Sequence, residues 1–426
     1  MSFLRRILTP LAVAALAAGA AFAQTPPHPT ATPPHPTGVP NPAAVPMPVP
    51  PPPDVDAQSW VLMDYATGQI LASKNPDERR APASLTKVMT DYVVSAELAN
   101  GRIHPNDMVT ISEHAWRAGG AGTDGSTSFL KLGSQVPLED LLKGMIVQSG
   151  NDAAIALAEH TAGSEDAFVG LMNEYAKRLG MVNTHYSNAS GYPVADHYST
   201  ARDIAILSRA LIRDFPADYA ISAIKTYKWN GITQQNRNEL LWRDPSVDGI
   251  KTGHTAAAGF CLDASAKRGN ERMIAVVMGS STNQGRADSA MALLNYGFRF
   301  YETHTLYVAG KPLVSPRLWK GQADTLPLGV ASDVLVTVKT GQYDKLKAMM
   351  DIPATLIAPF KKGQQVGILH ITLDGQPLQD VPLVALDDAP LGGFFSRLWD
   401  SILLWFHGSK KSEVPAPAPA AAAGAK

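Results

Sequence analysis

The sequence has few of the residues from which disulfides and metal sites are built. Cys261 is the single cysteine among 426 residues, so no internal disulfide can form. It lies in the apolar run 260–262, and we predict a small buried core residue rather than a reactive thiol. The 11 histidines show no metal-ligand spacing. We therefore predict no structural or catalytic metal and no cofactor.

An excess of one charge sign is also lacking, because 37 Lys and Arg residues oppose 38 Asp and Glu residues. A net charge of −1 provides no field to attract nucleic acid, and no basic stripe is interleaved with aromatics. We predict no nucleic-acid partner. The Gly-x-Ser-x-Gly elbow is absent as well, which argues against a Ser-His-Asp hydrolase of the α/β type.

Long apolar runs are missing except near the first residue. Arg5 and Arg6 precede the apolar residues 7–20, and Ala23 ends a small-residue cleavage site. We predict a secretory signal peptide over residues 1–23. A retained membrane helix is the alternative, for which this run is short and rich in alanine. Residues 24–55 are predicted to form a Pro-rich linker, and residues 408–426 a disordered tail.

Between these ends, strand and helix patterns predict an α+β fold. A hairpin is predicted at 60–65 and 69–73, helices at 164–179, 200–213 and 288–300, and strands at 227–229, 259–265 and 273–278. Strands followed by helices and then antiparallel strands indicate layers rather than regular β/α alternation. We place this first domain at residues 56–304.

Two further segments follow the first domain. The short β-type runs 305–308, 334–338, 354–358, 366–372 and 381–386 predict a small all-β domain over residues 305–388. Residues 391–407 then predict an amphipathic helix, with apolar residues on one side of the helical wheel: Phe394, Phe395, Leu398, Trp399, Ile402, Leu403 and Phe406. We predict that it lies in a membrane interface, with packing on the β domain as the alternative.

Chemistry is indicated by three short motifs in a fixed order. These are Ser84-Leu85-Thr86-Lys87, Ser149-Gly150-Asn151 and Lys251-Thr252-Gly253. If the segment after Pro82 is helical, residues i and i+3 share a face, and the Lys87 amine lies beside the Ser84 hydroxyl. Burial and a nearby second cation, for which Lys251 is the candidate, would favour the neutral amine that accepts a proton.

Each motif alone is weak, because the same letters recur elsewhere in the chain. Ser-x-x-Lys recurs at 128–131 and 222–225, Ser-x-Asn at 73–75 and 281–283, and Lys-Thr-Gly at 339–341. Context separates the copies. Ser84 follows Ala81-Pro82-Ala83 and opens an apolar run of helical period, whereas residues 339–341 close a short β-type run and predict a turn.

The motifs resemble those of the penicillin-binding proteins, most closely the low-molecular-mass serine D-alanyl-D-alanine carboxypeptidases. The resemblance extends to the stretches 148–153, 199–203, 236–238, 247–255 and 296–300. It implies a penicillin-binding or serine β-lactamase-like catalytic domain, followed by the all-β domain and the amphipathic helix. Ser190-Gly191 departs from the His-Gly found in close relatives, which puts a deacylation role for that histidine in doubt here.

The resemblance also implies roles for individual residues. Ser84 would be the acylated nucleophile and Lys87 its base. Ser149 would relay a proton to the leaving amine, and Asn151 would hold a substrate amide. In this family Lys251 and Thr252 would hold the terminal carboxylate.

Four further roles follow from the resemblance. Gly253 would leave room for substrate against an edge strand. The backbone N–H groups of Ser84 and His254 would form the oxyanion hole. Arg237 and Arg286 match an arginine that assists at the carboxylate, although a structural salt bridge is the alternative role for either.

The implied activity is removal of the terminal D-alanine from peptidoglycan pentapeptide stems, with β-lactams as covalent inhibitors. The implied location is the periplasm, at the outer face of the inner membrane. A D,D-endopeptidase, a serine β-lactamase and a catalytically idle wall-binding protein are the alternatives. The β-lactamase is disfavoured because no Glu-x-x-Leu-Asn stretch lies between the second and third motifs.

Overall fold

The computed structural model describes residues 49–120, 123, 125–406 and 412–417. The predicted signal peptide and residues 24–48 of the predicted linker lie outside these ranges. The helices are α1 Thr86–Ala99, α2 Glu113–Gly119, α3 Leu138–Val147, α4 Asn151–Ala162, α5 Glu165–Leu179, α6 Ala201–Asp214, α7 Pro216–Tyr219, α8 Leu240–Arg243, α9 Asn283–Phe300 and α10 Phe394–Phe406.

The strands divide between a first domain and a C-terminal β domain. Those of the first domain are β1 Ser59–Asp64, β2 Ile70–Lys74, β3 Met108–Thr110, β4 Gln135–Pro137, β5 Thr226–Trp229, β6 Ile232–Gln235, β7 Val247–Thr255, β8 Gly259–Arg268 and β9 Glu271–Ser280. Those of the β domain are β10 Tyr301–Tyr307, β11 Leu318–Trp319, β12 Leu328–Gly329, β13 Val334–Lys339, β14 Leu346–Ile352, β15 Leu356–Ile357, β16 Gln365–Leu373, β17 Gln376–Ala385 and β18 Ser412–Pro415.

A five-stranded antiparallel sheet, in the order β2-β1-β9-β8-β7, divides the first domain into two cores. Successive residues of a strand point to opposite faces. Val61 and Met63 therefore join the core formed with α1, α3, α4 and α6, whereas Leu62 joins the core beneath α9. This arrangement of helices on both faces of an antiparallel sheet confirms the predicted α+β class. It leaves β7 as an edge strand against the helices.

The three predicted helices are present near their predicted ranges, and the start of one of them differs. Ser164 and Thr200 each accept a hydrogen bond from a backbone N–H in the first turn of α5 and α6, and Gly180 ends α5 in a left-handed conformation. Helix α9 begins at Asn283, five residues before the predicted start at 288. Its first turn carries no apolar pattern and is set instead by the side chain of Thr282, which caps Gly285.

The C-terminal domain is all-β, as predicted, with its own apolar core. Its main sheet has the order β12-β17-β16-β14-β18. Strand β14 has no counterpart in the prediction, and the predicted run 354–358 is reduced to the two residues of β15. The first strand, β10, follows α9 directly at Tyr301, four residues before the predicted start of the domain.

One buried carboxylate links the two domains. Asp64, at the end of β1, accepts hydrogen bonds from the hydroxyls of Thr303 on β10 and Thr337 on β13, at 3.0 Å each. The hydroxyl of Thr67 donates to the same carboxylate at 2.6 Å. A buried charge is tolerated where several donors satisfy it, so this junction has a defined geometry.

The described parts of the predicted linker and of the predicted tail contact the folded domains. Val49 and Val55, at the end of the predicted linker, pack against the core beneath α9, and Tyr296 donates its hydroxyl to the carbonyl of Pro50 at 2.9 Å. The prediction of a disordered tail is wrong for residues 412–415, which form β18 and pair with β14. Without this pairing, β14 would present an unpaired edge. The remaining tail residues lie outside the described ranges.

The predicted helix near the C-terminus is α10. Within the described ranges, no helix is both long enough and apolar enough to cross a bilayer.

Candidate active site

The first motif lies where a 3₁₀ turn leads into α1. Residues Ala83–Leu85 form the turn, and Ala83 adopts a left-handed φ of 48°. Lys87 is in the first turn of α1, and its Nζ donates to the Oγ of Ser84 at 3.1 Å. The predicted i, i+3 relation is therefore present, and the amine lies within hydrogen-bond reach of the hydroxyl.

Lys87 is fully buried, and its two other partners hold it in place. Nζ donates to Oδ1 of Asn151 at 2.7 Å and to the carbonyl oxygen of Ser190 at 2.6 Å. Burial lowers the pKa of Lys87 to about 7; the negative charge of Asp152 opposes this effect, and the positive charge of Arg237 adds to it. Lys251, the expected second cation, also interacts with Lys87, because the charge of Lys87 lowers the pKa of Lys251.

Lys251 forms a second lysine–serine pair with the middle motif. Its Nζ donates to Oγ of Ser149 at 2.9 Å and to the carbonyl oxygen of Thr252 at 3.1 Å. Burial lowers the pKa of Lys251 far below its usual value, and the cations of Lys87 and Arg237 lower it further. Two buried amines therefore face two hydroxyls, and both amines are biased toward the neutral form.

The turn before α4 fixes the middle motif. Ser149 has a left-handed φ of 63°, and Gly150 precedes the first residue of the helix, Asn151. The carboxylate of Asp152 accepts backbone N–H groups of Ser128 at 2.8 Å and Leu130 at 3.1 Å. This contact ties the loop above the cleft to the start of α4, so Asn151 is presented toward Lys87.

The third motif lies on the edge strand β7, directly against the nucleophile. A Cβ atom at Gly253 would stand 3.0 Å from the carbonyl oxygen of Pro82 and 3.2 Å from the backbone nitrogen of Ser84. The glycine is therefore needed for this close approach. The next residue, His254, stacks its ring on Phe260 with the ring centroids 4.0 Å apart.

The two predicted arginines differ in their surroundings. Arg286 is buried and donates to the carbonyl oxygens of Gly253 at 2.9 Å and Cys261 at 3.2 Å, and also to Asn283. Burial lowers its pKa to about 10. Arg237 is exposed to the cleft, desolvation lowers its pKa, and no carboxylate of the described residues forms an ion pair with it.

These elements enclose a cleft of about 1160 Å³. Eight of the ten predicted site residues line it: Ser84, Ser149, Asn151, Arg237, Thr252, Gly253, His254 and Arg286. The two lysines lie beneath its surface and reach it through Ser84 and Ser149. The structure thus brings all ten residues into one site, on elements that are far apart in sequence.

Comparison with known proteins agrees with this arrangement. Residues 47–282 match the family described as D-alanyl-D-alanine carboxypeptidase, and residues 301–390 match the penicillin-binding protein 5 C-terminal domain. The D-alanyl-D-alanine carboxypeptidases DacC and DacA of Escherichia coli are each 46% identical over 358 residues. The match covers 83% of this chain and 90% of DacC or 89% of DacA.

This chain belongs to the D-alanyl-D-alanine carboxypeptidase family. A solved structure, penicillin binding protein 5 of Haemophilus influenzae, superposes with a TM-score of 0.76 at 43% identity, covering 80% of this chain and 99% of that one. The predicted resemblance and the predicted catalytic fold are confirmed. Within this family fold, the described residues contain no group of His, Cys, Asp and Glu side chains that could hold a metal ion.

Some residues of the carboxypeptidase-family site were not predicted. The carbonyl of Ser190 receives the Lys87 amine, and Gly191 has a φ of 85°, with its Cβ position only 1.9 Å from the carbonyl oxygen of Ala83. Only glycine fits there. A backbone carbonyl carries no side-chain signal, so the sequence motifs indicate neither contact. Trp242 also lines the cleft and is half exposed.

His197 is a further unpredicted neighbour of the nucleophile. Its Nδ1 accepts the N–H of Ser187 at 3.0 Å, which leaves the proton on Nε2 to be donated to Oγ1 of Thr86 at 2.7 Å. Burial lowers the pKa of His197 to about 4, so the ring is neutral at neutral pH. It supports the turn that carries Ser84 without adding charge near Lys87.

The lone cysteine is placed as predicted. Cys261 is buried in β8, and its Sγ lies 3.7 Å from the carbonyl oxygen of Ala258. Burial raises its pKa, which disfavours the reactive thiolate.

Proposed function

We propose that this chain removes the terminal D-alanine from peptidoglycan pentapeptide stems through an acyl-enzyme at Ser84. The observation that carries the proposal is the contact between Ser84 Oγ and the buried amine of Lys87, whose pKa is about 7. A lysine whose pKa is about 7 is partly unprotonated at neutral pH. Its free amine can then accept the proton of a serine hydroxyl, as a general base must. Family membership supplies the substrate class, because the relatives are named D-alanyl-D-alanine carboxypeptidases.

In the proposed acylation step, Ser84 Oγ attacks the carbonyl carbon between the two terminal D-alanines. Lys87 accepts the hydroxyl proton as the new C–O bond forms. The backbone N–H groups of Ser84 and His254 receive the developing oxyanion, a contribution of about 3 kcal/mol per donor. The C–N bond then breaks, and the proton returns to the leaving amine through the hydroxyl of Ser149.

Deacylation reverses these roles with water in place of the amine. Water adds to the ester carbonyl, Lys87 accepts its proton, and the C–O bond to Ser84 breaks as Oγ regains a proton. No additional acid is required for this balance. Among the described residues, no carboxylate hydrogen-bonds to Ser84, Lys87 or Ser149, which supports a cycle based on lysine.

Recognition of the substrate carboxylate is assigned to Arg237 and Thr252, with Lys251 behind them. The guanidinium of Arg237 faces the cleft, and no carboxylate of the described residues is paired with it. This position suits the binding of a substrate carboxylate. Arg286 donates to the carbonyl of Gly253 and so fixes β7 from behind. We therefore assign Arg286 to positioning the edge strand and Arg237 to direct binding. A β-lactam, which resembles the D-Ala-D-Ala terminus, would acylate Ser84 in the same pose.

The activity is tested by incubating the purified chain with a pentapeptide that ends in D-Ala-D-Ala. We expect release of one D-alanine per peptide, and intact mass after penicillin treatment is expected to rise by one adduct. A cross-linked peptide dimer serves as the second substrate. Cleavage of the dimer without trimming of the pentapeptide would favour the endopeptidase, and rapid turnover of penicillin would favour the β-lactamase.

We also propose that the mature chain is periplasmic and attached to the membrane surface through α10. The predicted signal peptide supports export. The apolar face of α10 is exposed, and Lys410 and Lys411 follow it in the sequence, which suits a helix lying among lipid headgroups. Truncation after Asp388 is expected to release the protein from sedimenting vesicles with activity intact. Continued sedimentation would contradict this attachment.

A further inference from the structure

Helix α10 turns its polar face toward the β domain and its apolar face outward, the opposite of an ordinary surface helix. Phe395 and Trp405 are each 83% exposed, and Trp399 is 64% exposed. The side chain of Asp400, in contrast, is only 14% exposed. A surface helix normally buries its apolar face and exposes its charges. Here a charged side chain faces the domain and the aromatic face is directed outward.

Asp400 makes the inward contact. Its Oδ2 accepts the backbone N–H of Lys320 at 2.6 Å, and Oδ1 lies 3.6 Å from the guanidinium of Arg317. The Arg317 guanidinium in turn stacks over the ring of Trp319 at 3.9 Å. A carboxylate that is bound by both a backbone N–H and a cation is fixed in its orientation as well as in its position. The contact therefore fixes the rotation of α10 about its own axis.

The segment that enters α10 is attached to the same part of the β domain. The N–H of Gln322 donates to the carbonyl of Pro390 at 3.0 Å, and the N–H of Gly392 donates to the carbonyl of Lys320 at 2.8 Å. A Cβ atom at Gly392 would lie 2.5 Å from the carbonyl oxygen of Gly321. The backbones are thus in direct contact two residues before α10 begins, so the helix has no flexible linker before it.

Residues 412–417, the described residues beyond α10, also contact the β domain. Strand β18 pairs antiparallel with β14. Beyond it, the N–H of Ala416 donates to the carbonyl of Ala348 at 3.1 Å, and Tyr307 donates its hydroxyl to the carbonyl of Pro417 at 3.0 Å. The chain is therefore attached before, within and after α10.

We propose that residues 389–406 and 412–417 form a rigid lipid-binding platform, in which Asp400 directs the aromatic face of α10 toward the bilayer and fixes the orientation of the catalytic domain. The occupant of that face is a lipid surface, and this inference rests on the membrane attachment proposed above. The buried junction at Asp64 continues the rigid path from the β domain to the catalytic cleft. A tether would let the cleft sample many orientations, whereas the platform restricts them.

The variant Asp400→Ala tests the platform, with Ser401→Ala as the matched control. Ser401 is the adjacent residue, and its hydroxyl contacts only its own helix at the carbonyl of Arg397. A fluorophore is placed at Val182→Cys, an exposed position on the catalytic domain, while the buried Cys261 stays unlabelled. Energy transfer is measured to an acceptor lipid in vesicles of phosphatidylethanolamine and phosphatidylglycerol.

We expect one narrow distribution of transfer efficiency for the parent chain and for Ser401→Ala, and a broad one for Asp400→Ala at similar vesicle affinity. A narrow distribution for Asp400→Ala would overturn the platform. Amide exchange without vesicles is the second measurement, and Asp400→Ala is expected to speed exchange over residues 394–406 by about tenfold or more. Unchanged exchange contradicts the platform, whereas absent vesicle binding by the parent chain contradicts the membrane attachment alone.

Discussion

The two Lys-Thr-Gly copies have the same letters and opposite environments. Lys251 is buried in β7, where it hydrogen-bonds to Ser149, and its neighbour Thr252 lines the cleft. Lys339 ends β13 and is exposed, and the copy closes in a turn at Gly341 with a φ of 79°. Identical side chains thus form part of an active site in one place and a surface turn in the other.

The difference shows that burial and neighbours confer the chemistry, and the triplet alone does not. Burial lowers the pKa of Lys251, and the three cations Lys87, Arg237 and Arg286 strengthen that effect. The second copy faces solvent, and its glycine N–H is accepted by Glu302 at 3.1 Å. A residue of the cleft and a chemically matched residue outside it should therefore respond differently to the same substitution.

The largest effect is expected for the nucleophile itself. Ser84→Ala removes the attacking oxygen and should lower kcat by a factor on the order of 10⁶, the scale found when a serine hydrolase loses its nucleophile. Covalent labelling by a fluorescent penicillin should disappear. The control is Ser222→Ala, because Ser222 opens another Ser-x-x-Lys copy but is buried outside the cleft. Undiminished labelling of Ser84→Ala would refute the assignment.

The second prediction compares the lysines of the two Lys-Thr-Gly copies. Lys251→Ala removes the amine that donates to Ser149 beneath the carboxylate site. We expect kcat/KM for the pentapeptide to fall about 10²- to 10³-fold, as for the loss of one preorganised electrostatic donor. Lys339→Ala should leave kcat/KM unchanged and alter stability by less than about 0.5 kcal/mol. Equal losses in both variants would contradict the comparison.

The third prediction concerns pH. The Lys87 pKa is lowered to about 7, so its neutral, proton-accepting form is lost as pH falls through that value. The rate of acylation should therefore fall about tenfold per unit below pH 7 and be constant above it. Penicillin acylation measured from about pH 5 to about pH 9 checks this. Lys339→Ala should give the same pH profile as the parent chain. A rate that does not change with pH in either protein would exclude Lys87 as the base.

Much of the site could be predicted because its key contacts are local or carried by distinctive side chains. The pairing of Ser84 with Lys87 needs only one helical turn, and capping residues defined α5 and α6. The parts that could not be predicted rely on backbone groups. The carbonyl of Ser190 receives Lys87, and any residue type provides a carbonyl. Arg237, a cation that lowers the pKa of Lys87, is distant in sequence and is brought near only by the fold.

The ends of the chain show a second limit of sequence reasoning. Composition predicted a tail without structure, yet Ser412–Pro415 pairs with β14. Strand pairing at an edge uses main-chain groups, so a weakly patterned segment can be recruited when an unpaired strand lies close to it. Strand β14 was missed for a different reason: the exposed Met349 stands where the alternation of a half-buried strand calls for a polar residue.

The smallest effects are expected for the two glycines, and they separate catalysis from stability. In Gly253→Ala the new methyl group would meet Pro82 and Ser84, shift β7 from the nucleophile, and lower kcat/KM by roughly tenfold or more. Gly341→Ala meets open space but imposes a left-handed φ on alanine, which should cost about 1 kcal/mol of stability without loss of activity. Thermal unfolding and pentapeptide kinetics on both variants give the comparison. If Gly341→Ala lowered activity as much as Gly253→Ala, close packing against Ser84 could not be the reason for the glycine in β7.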